Sequence, residues 1–334
     1  MTKGAVLEPF AYEPPRLKDP EVRVSVSHCG ICYTDIHGIE DFYGISTFPF
    51  VPGHEIVGRV SELGASAKGL EEGDRVGIGW QGRSCTKCED CSRGEPQLCF
   101  DVDHAAVWSP YGGFSTSVVA DHRFVYPLPD IMPAEIAAVL MCAGIAVYNP
   151  LRPMATASSR KVGVVGVGGL GHLAIQFAHA LGCEVTAISS SPSKQDEAVE
   201  FGADRFILAG DKDAMKTLAT GLDLILYTSH AEADWTRLVL SLRRNGRIAV
   251  VGFPPGLLAF DPMELVVRQL SVTGSLLGSP TLMREMLSFA QAHGIRPRVE
   301  LMPMAAANDA LRRLRENRAR YRIVLVNEAQ ASER

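Results

Sequence analysis

The 334-residue chain contains no run of about 18 apolar residues, so no membrane span is expected. Its first twenty residues are rich in proline and carry acids where a secretory leader would have an apolar core, which predicts a cytoplasmic protein. Strong charge is missing too. A formal net charge of -5, with 21% charged residues, excludes the basic footprint of a nucleic-acid binder. Cysteine is scarce, eight in all, and thiols are kept reduced in the cytosol, so metal ligation is favoured over a disulfide framework. There is no internal repeat and no low-complexity tract, which excludes solenoids and disordered arrays. What remains is a soluble globular composition, 46% hydrophobic, on a chain long enough for two domains.

Half of the cysteines fall in one loop: Cys85, Cys88, Cys91 and Cys99, spaced C-x2-C-x2-C-x7-C. Four thiolates at this spacing match a closed tetrahedral zinc site, which leaves no position for substrate. The chemistry is therefore to be sought elsewhere. Near the C-terminus Arg312, Arg313, Arg315, Arg318, Arg320 and Arg322 are interleaved with Leu311, Leu314 and Glu316 at helical spacing, which reads as a solvated helix face.

Up to about residue 150, short strand-like runs (21–27, 58–63, 75–79, 117–120) broken by Gly and Pro predict an irregular β domain. Six β-rich runs follow, at 161–167, 184–189, 205–208, 223–228, 247–252 and 270–274, with helical segments such as 170–181, 194–201 and 235–242 between them. That alternation predicts parallel β-α-β crossovers in a doubly wound sheet. A helix at 281–293, an apolar Met-rich segment, a second helix and a strand at 322–326 are expected to rejoin the first domain.

The run KVGVVGVGGLG from Lys161 is a strand that opens through Gly166, Gly168, Gly169, Leu170 and Gly171 into a helix, the context a dinucleotide-binding fingerprint requires. Gly166 permits the tight turn, Gly168 lets backbone approach a pyrophosphate, and Gly171 lets the helix pack closely. A dinucleotide fold selective for NAD usually ends its second strand in an acid; here stand Ser189, Ser190 and Ser191, with Lys194 close behind. Hydroxyls and an ammonium suit a 2′-phosphate that a carboxylate would repel, so NADP is favoured over NAD. Ser191 could equally cap a helix beginning at Pro192.

Metal-capable residues occur in three further segments: Cys29, Cys32, Asp35 and His37; His54 and Glu55; and Cys142. Cys32, His54 and Cys142 would supply two thiolates and an imidazole to a catalytic zinc with an open position. In full, the chain carries CGICYTDIH from Cys29, PFVPGHEIVGRV from Pro49, GDRVGIGW from Gly73, the four-cysteine loop, CAGIAVYNPLR from Cys142, GVGGLGH from Gly166, SSSPSK from Ser189 and GSLLGS from Gly274. In this order and over nearly the whole length, it resembles the zinc-dependent medium-chain alcohol dehydrogenases, in the branch of the cinnamyl alcohol dehydrogenases and bacterial aldehyde reductases.

The resemblance implies an α/β protein with a GroES-like irregular β catalytic domain, residues 1–147 completed by 278–334, and a Rossmann cofactor domain over 148–277. It implies two zinc ions per chain. Cys32, His54 and Cys142 would hold the catalytic one, and Cys85, Cys88, Cys91 and Cys99 the structural one. Glu55 would replace the zinc-bound water or stand behind the ligands, and Asp35 would orient His54. Thr34 would hold the alcohol proton and His37 pass it to solvent by way of the nicotinamide ribose. Cys29 is left to pack beneath the site, and Cys183 is expected to be a core thiol. Tyr33 stands where relatives commonly have His or Arg, while Trp80 and Trp108 suggest an apolar, aromatic substrate.

The implied activity is hydride transfer between NADP(H) and a primary alcohol or aldehyde, with association into a homodimer or homotetramer. Competing readings are an NAD-dependent dehydrogenase of simple alcohols or polyols, a zinc-ribbon interaction module, and a zinc-free reductase of the same superfamily. The last has no need of Cys32, His54 and Cys142 together.

Overall fold

The computed structural model describes residues 4, 6–101, 103, 104, 111–156 and 160–331; Trp108 lies outside them. Fifteen strands are present among these residues. They are β1 (Glu21–Ile31), β2 (Glu55–Leu63), β3 (Arg75–Ile78), β4 (Gln81–Arg83), β5 (Asp103–His104), β6 (Ser117–Asp121), β7 (Val125–Pro127), β8 (Lys161–Val165), β9 (Glu184–Ser189), β10 (Arg205–Leu208), β11 (Leu222–Tyr227), β12 (Leu242–Val250), β13 (Ser271–Gly274), β14 (Val299–Pro303) and β15 (Arg322–Val326). The chain divides into two compact units: Met1–Cys142 with Gly278–Leu287 and Pro297–Arg334, and Ala143–Leu277 with Ser288–Arg296.

In the first unit a mixed sheet runs β14-β15-β1-β2-β3-β7, with β6 also pairing with β1. β1 alternates as a half-buried strand must: Val22, Val24 and Val26 are fully buried and their neighbours are not. Each such valine contributes about 1.5–3 kcal/mol by leaving water, and together with Ile56, Val76 and Ile78 they form the core beneath the metal-capable segments. Cys29 is buried in the same cluster, where burial pushes its thiol well above the ordinary range.

The second unit is a six-stranded parallel sheet in the order β10-β9-β8-β11-β12-β13. The chain enters at β8, winds outward through β9 and β10, then restarts at β11 on the other side. The topological switch point, where such sheets bind ligands, therefore lies at the carboxyl ends of β8 and β11. Tyr227, Trp235, Leu242 and Ile248 are among the side chains of its core, and Cys183 is buried just before β9.

Three expectations need correction, and one segment left without an element gains one. The Met-rich segment after the helix Pro280–Ala292 is strand β14, an edge strand that among the described residues pairs with β15 alone; Leu301 is exposed, so no alternation marks it in the sequence. Arg322 does not belong to a solvated helix face. The arginine-rich helix ends at Arg315, and Arg322 opens β15 with 6% of its surface exposed. β12 begins at Leu242, bridged to Leu222, before the run expected at 247. Residues 143–147 and Ser288–Arg296 group with the second unit, where Gln176 bonds both the N–H and the carbonyl of Arg296 at 2.9 and 3.0 Å.

The helical stretch Ala134–Thr156 has the length and mean hydropathy, 1.6, of a membrane span, but 78% of that window is buried inside the fold, the mark of a core helix.

Candidate metal and cofactor sites

The first cluster starts from a seven-residue helix, Tyr33–Ile39, for which Cys32 is the extended N-cap. Asp35 closes a capping box by accepting the Cys32 N–H at 2.8 Å, so the residue that starts the helix is also fixed in direction. The other Asp35 oxygen accepts the Gly53 N–H and the His54 Nδ1–H, each at 3.0 Å. One buried carboxylate thus joins two distant segments and assigns the tautomer of His54, leaving Nε2 for a ligand. Thr34 Oγ1 lies 3.5 Å from Cys32 Sγ. His37, one turn further along the helix, is buried, and its Nδ1 lies 2.9 Å from the Tyr43 hydroxyl.

Cys142 comes from the long helical stretch, within a five-residue π-helical turn, Leu140–Gly144. Such turns re-aim side chains inside a helix and recur at functional sites. The ligand atoms of Cys32, His54, Glu55 and Cys142 all lie within 4.8 Å of one another. A hydrogen bond from Cys142 holds Cys32 well below the ordinary thiol range, with His54 assisting against the cost of burial. Cys142 is raised correspondingly, because it keeps the proton the two sulfurs share. Burial disfavours the imidazolium of His54, but the charge and hydrogen bond of Asp35, with Cys32, outweigh it and hold the ring well above its usual range.

Glu55 is fully buried, and burial pushes it up to about 7 against the opposing charge of Arg322, with which its Oε1 is paired. Its Oε2 has no hydrogen-bond partner among the described residues. A Cβ added at Gly30 would lie 2.0 Å from that oxygen, so only glycine on β1 admits the carboxylate. An orphaned carboxylate oxygen beside two sulfurs and an imidazole is a donor set that fits a cation such as zinc.

The second cluster is Cys85, Cys88, Cys91 and Cys99, whose sulfurs also lie within 4.8 Å of one another. All eight cysteines are free thiols. Cys85 Sγ accepts the Cys88 N–H at 3.3 Å, and backbone N–H groups lower its thiol to about 6. Cys99, with little exposure, is pushed by burial to about 12. Trp80, just upstream, is half-buried.

In the second unit Gly166 directly follows β8 with φ +94°, a conformation a side chain would strain. A Cβ on Gly171 would lie 1.7 Å from the Gly166 carbonyl, so the ten-residue helix Gly171–Ala180 can start this close to the turn only with glycine there. The Thr228 hydroxyl, 2.8 Å from that carbonyl, ties the turn to the end of β11. Gly169 and Leu170 complete the loop, and nothing lies within 4 Å of a Cβ built on Gly168. The positive end of a helix beside a glycine turn fits a dinucleotide pyrophosphate. Ser189 ends β9, and its Oγ accepts the Ser191 N–H at 3.2 Å. Ser191 is the N-cap of a short 3-10 turn, Pro192–Lys194, as expected in position, but its side chain bonds Ser193 at 2.9 Å in place of a cap bond; the helix Gln195–Glu200 follows.

A cavity of about 810 Å³ in the first unit, lined by residues such as Phe10, Tyr12, Phe50 and Met304, includes none of the clustered donors, so the chemistry is assigned to the clusters. Arg322, Tyr43 and Gly30 were not anticipated. Arg322 sat in a misleading run of arginines, and no spacing rule points to the other two.

Comparison with known proteins identifies the family. Residues 18–130 match the alcohol dehydrogenase GroES-like domain and 169–292 the zinc-binding dehydrogenase family. The probable cinnamyl alcohol dehydrogenase 6 of Oryza sativa subsp. japonica is 38% identical over 97% of this chain and 93% of its own. The solved cinnamyl alcohol dehydrogenase of Sorghum bicolor superposes with a TM-score of 0.91 at 37% identity, covering 96% of this chain and 94% of that one. The Helicobacter pylori enzyme solved in complex with NADP(H) gives 0.89 at 29% identity, covering 99% and 96%. With its irregular β domain followed by a parallel nucleotide-binding sheet, and with likeness extending over nearly its full length, the chain belongs to the zinc-dependent medium-chain alcohol dehydrogenases, in the branch of the cinnamyl alcohol dehydrogenases.

Proposed function

We propose that the protein is an NADP(H)-dependent alcohol dehydrogenase that interconverts primary alcohols and aldehydes, favours aldehyde reduction, and takes aromatic or medium aliphatic substrates. The observation that carries this reading is the open donor set of Cys32, His54 and Cys142, with Glu55 behind it, in a chain that also holds a dinucleotide loop. A zinc ion held there would act as a Lewis acid on the substrate oxygen, and the nicotinamide would exchange the hydride. The protein's own groups handle the proton. Thr34 would bond the substrate hydroxyl and relay its proton toward His37, and in aldehyde reduction the same path would return it. Asp35 holds His54 in the tautomer that a metal needs.

NADP is supported by the serines at the end of β9 and by Lys194, with no carboxylate from Ser189 to Ser191, and by the NADP(H) complex of the Helicobacter pylori relative. Catalytic efficiencies for aromatic and aliphatic aldehydes with NADPH and NADH are expected to favour NADPH. Ser189→Asp should swing that preference toward NADH by roughly tenfold or more, about 1.4 kcal/mol of repulsion at the 2′-phosphate. If the preference stayed where it was, the assignment of Ser189 would fail.

The four-cysteine loop is read as a staple that would hold a second zinc. Cys88→Ser should lower thermal stability and zinc content while the surviving folded enzyme keeps its hydride-transfer rate. A stable fold with that step alone destroyed would overturn the division of labour. Association into a dimer or tetramer is part of the proposal. Edge strand β13 and the exposed side chains of Met263, Val266 and Val267 on the helix Pro262–Arg268 would offer a second copy an apolar face.

A further inference from the structure

Among the described residues, three aromatic rings pack against His37. Phe42 stacks on the imidazole with centroids 4.5 Å apart and planes 19° from parallel, while Tyr33 and Tyr43 meet it edge-on at 5.1 and 5.4 Å. Tyr43 also brings a polar atom to the ring, its hydroxyl 2.9 Å from Nδ1. Rings on several sides fix the plane of an imidazole but cannot tell one end of the ring from the other; a hydrogen bond does so once its direction is set, and a phenol can either accept from Nδ1–H or donate to a bare Nδ1. We propose that Tyr43 is a positioning residue for His37: its phenolic oxygen accepts the Nδ1–H, holds the neutral ring in the Nδ1–H tautomer, and leaves the Nε2 lone pair to take the reaction's proton.

The chemistry of the partner suits the task. A carboxylate at this place would hold a proton on the ring by its charge, whereas a phenol can accept from Nδ1–H in both the neutral and the protonated ring without adding charge; the opposite arrangement, the phenol donating to a bare Nδ1, would put the ring proton on Nε2 and is what NMR spectra of the ring would reveal. Tyr43 stays un-ionised, since burial and, second to it, the nearby Cys32 thiolate raise its pKa to about 12. Nothing in the helix Tyr33–Ile39 requires this contact; Tyr43 reaches back from the loop after it.

The proposal rests on the reading of His37 as the exit for the substrate proton, and two measurements separate the pair. Long-range proton-nitrogen NMR of the histidine rings in the zinc-loaded enzyme without nucleotide reports tautomers directly, with His37→Asn assigning the His37 signals. Wild type is expected to show the Nδ1–H form and Tyr43→Phe, which keeps the ring packing, a shift toward Nε2–H. Steady-state alcohol oxidation by Tyr43→Phe is expected to lose roughly tenfold in kcat with little change in KM, a part of what general acid–base groups supply. A wild-type Nε2–H tautomer, or a Tyr43→Phe enzyme unchanged in both tautomer and kcat, overturns the proposal and leaves the dehydrogenase reading standing. A wild-type enzyme with no turnover sinks that reading, and this role with it, whatever the spectra show.

Discussion

Cys142→Ala is expected to cut turnover by on the order of a thousandfold while the chain stays folded and its zinc content drops from two ions to one. The magnitude follows from what a metal contributes. Lewis-acid stabilisation of a developing alkoxide is worth several kcal/mol, and each ~1.36 kcal/mol is tenfold in rate. Cys142 is one of three strong donors in the cluster, and it is brought there by a π-helical turn in a buried stretch, where exchange for alanine removes only the sulfur. Truncation therefore removes a ligand without opening a large cavity. Circular dichroism, metal analysis and steady-state kinetics on one preparation check all three parts. Unchanged turnover with one zinc fewer would end the assignment of this cluster as the catalytic centre.

Arg322→Met is expected to cost stability by about 3–5 kcal/mol, the range for removing one partner of a buried ion pair. Glu55 is fully buried and Arg322 nearly so, and the variant would strand a carboxylate that burial already pushes up to about 7. The comparison that isolates the effect is Arg315→Met. Its pair with Glu40 is equally visible in the structure but sits in water, where such pairs contribute about 0–1 kcal/mol. Adding Glu55→Gln to Arg322→Met should recover most of the loss, because it removes the stranded charge and keeps the side-chain shape. Thermal melts of the zinc-loaded variants decide it. A fall for Arg322→Met no larger than for Arg315→Met would mean that the pair does not carry this energy.

The two chemical clusters differ in how legible they are along the chain. The four cysteines of the loop are local, so spacing alone predicts that their sulfurs can meet. Cys32, His54 and Cys142 are 22 and 88 residues apart, and nothing in their spacing brings them together; the recurrence of whole motifs in family order did that work. The glycine loop was legible for a physical reason, since a strand, a turn and a helix in immediate succession need no tertiary contact to be recognised. Strand β14 was not legible, because an edge strand with an exposed Leu301 loses the alternation by which strands are read.

By itself the sequence determined the two-domain organisation in outline, the parallel order of a nucleotide-binding sheet, the four-sulfur loop and the residue types able to hold a cation, because each follows from local periodicity or short spacing. Tertiary structure decided what stands behind those donors. Asp35 joins Cys32, Gly53 and His54 through three hydrogen bonds, Arg322 crosses from the end of the chain to Glu55, and Tyr43 reaches back to His37. These contacts depend on strand register and loop direction. Pairing β15 against β1 sets Ile323 opposite Ile31 and brings Arg322 to the buried carboxylate, whereas in the sequence it stands in a run of arginines of which Arg312 and Arg315 pair with exposed acids. A residue's charge can be read from one position, but its partner and its burial come only from the fold.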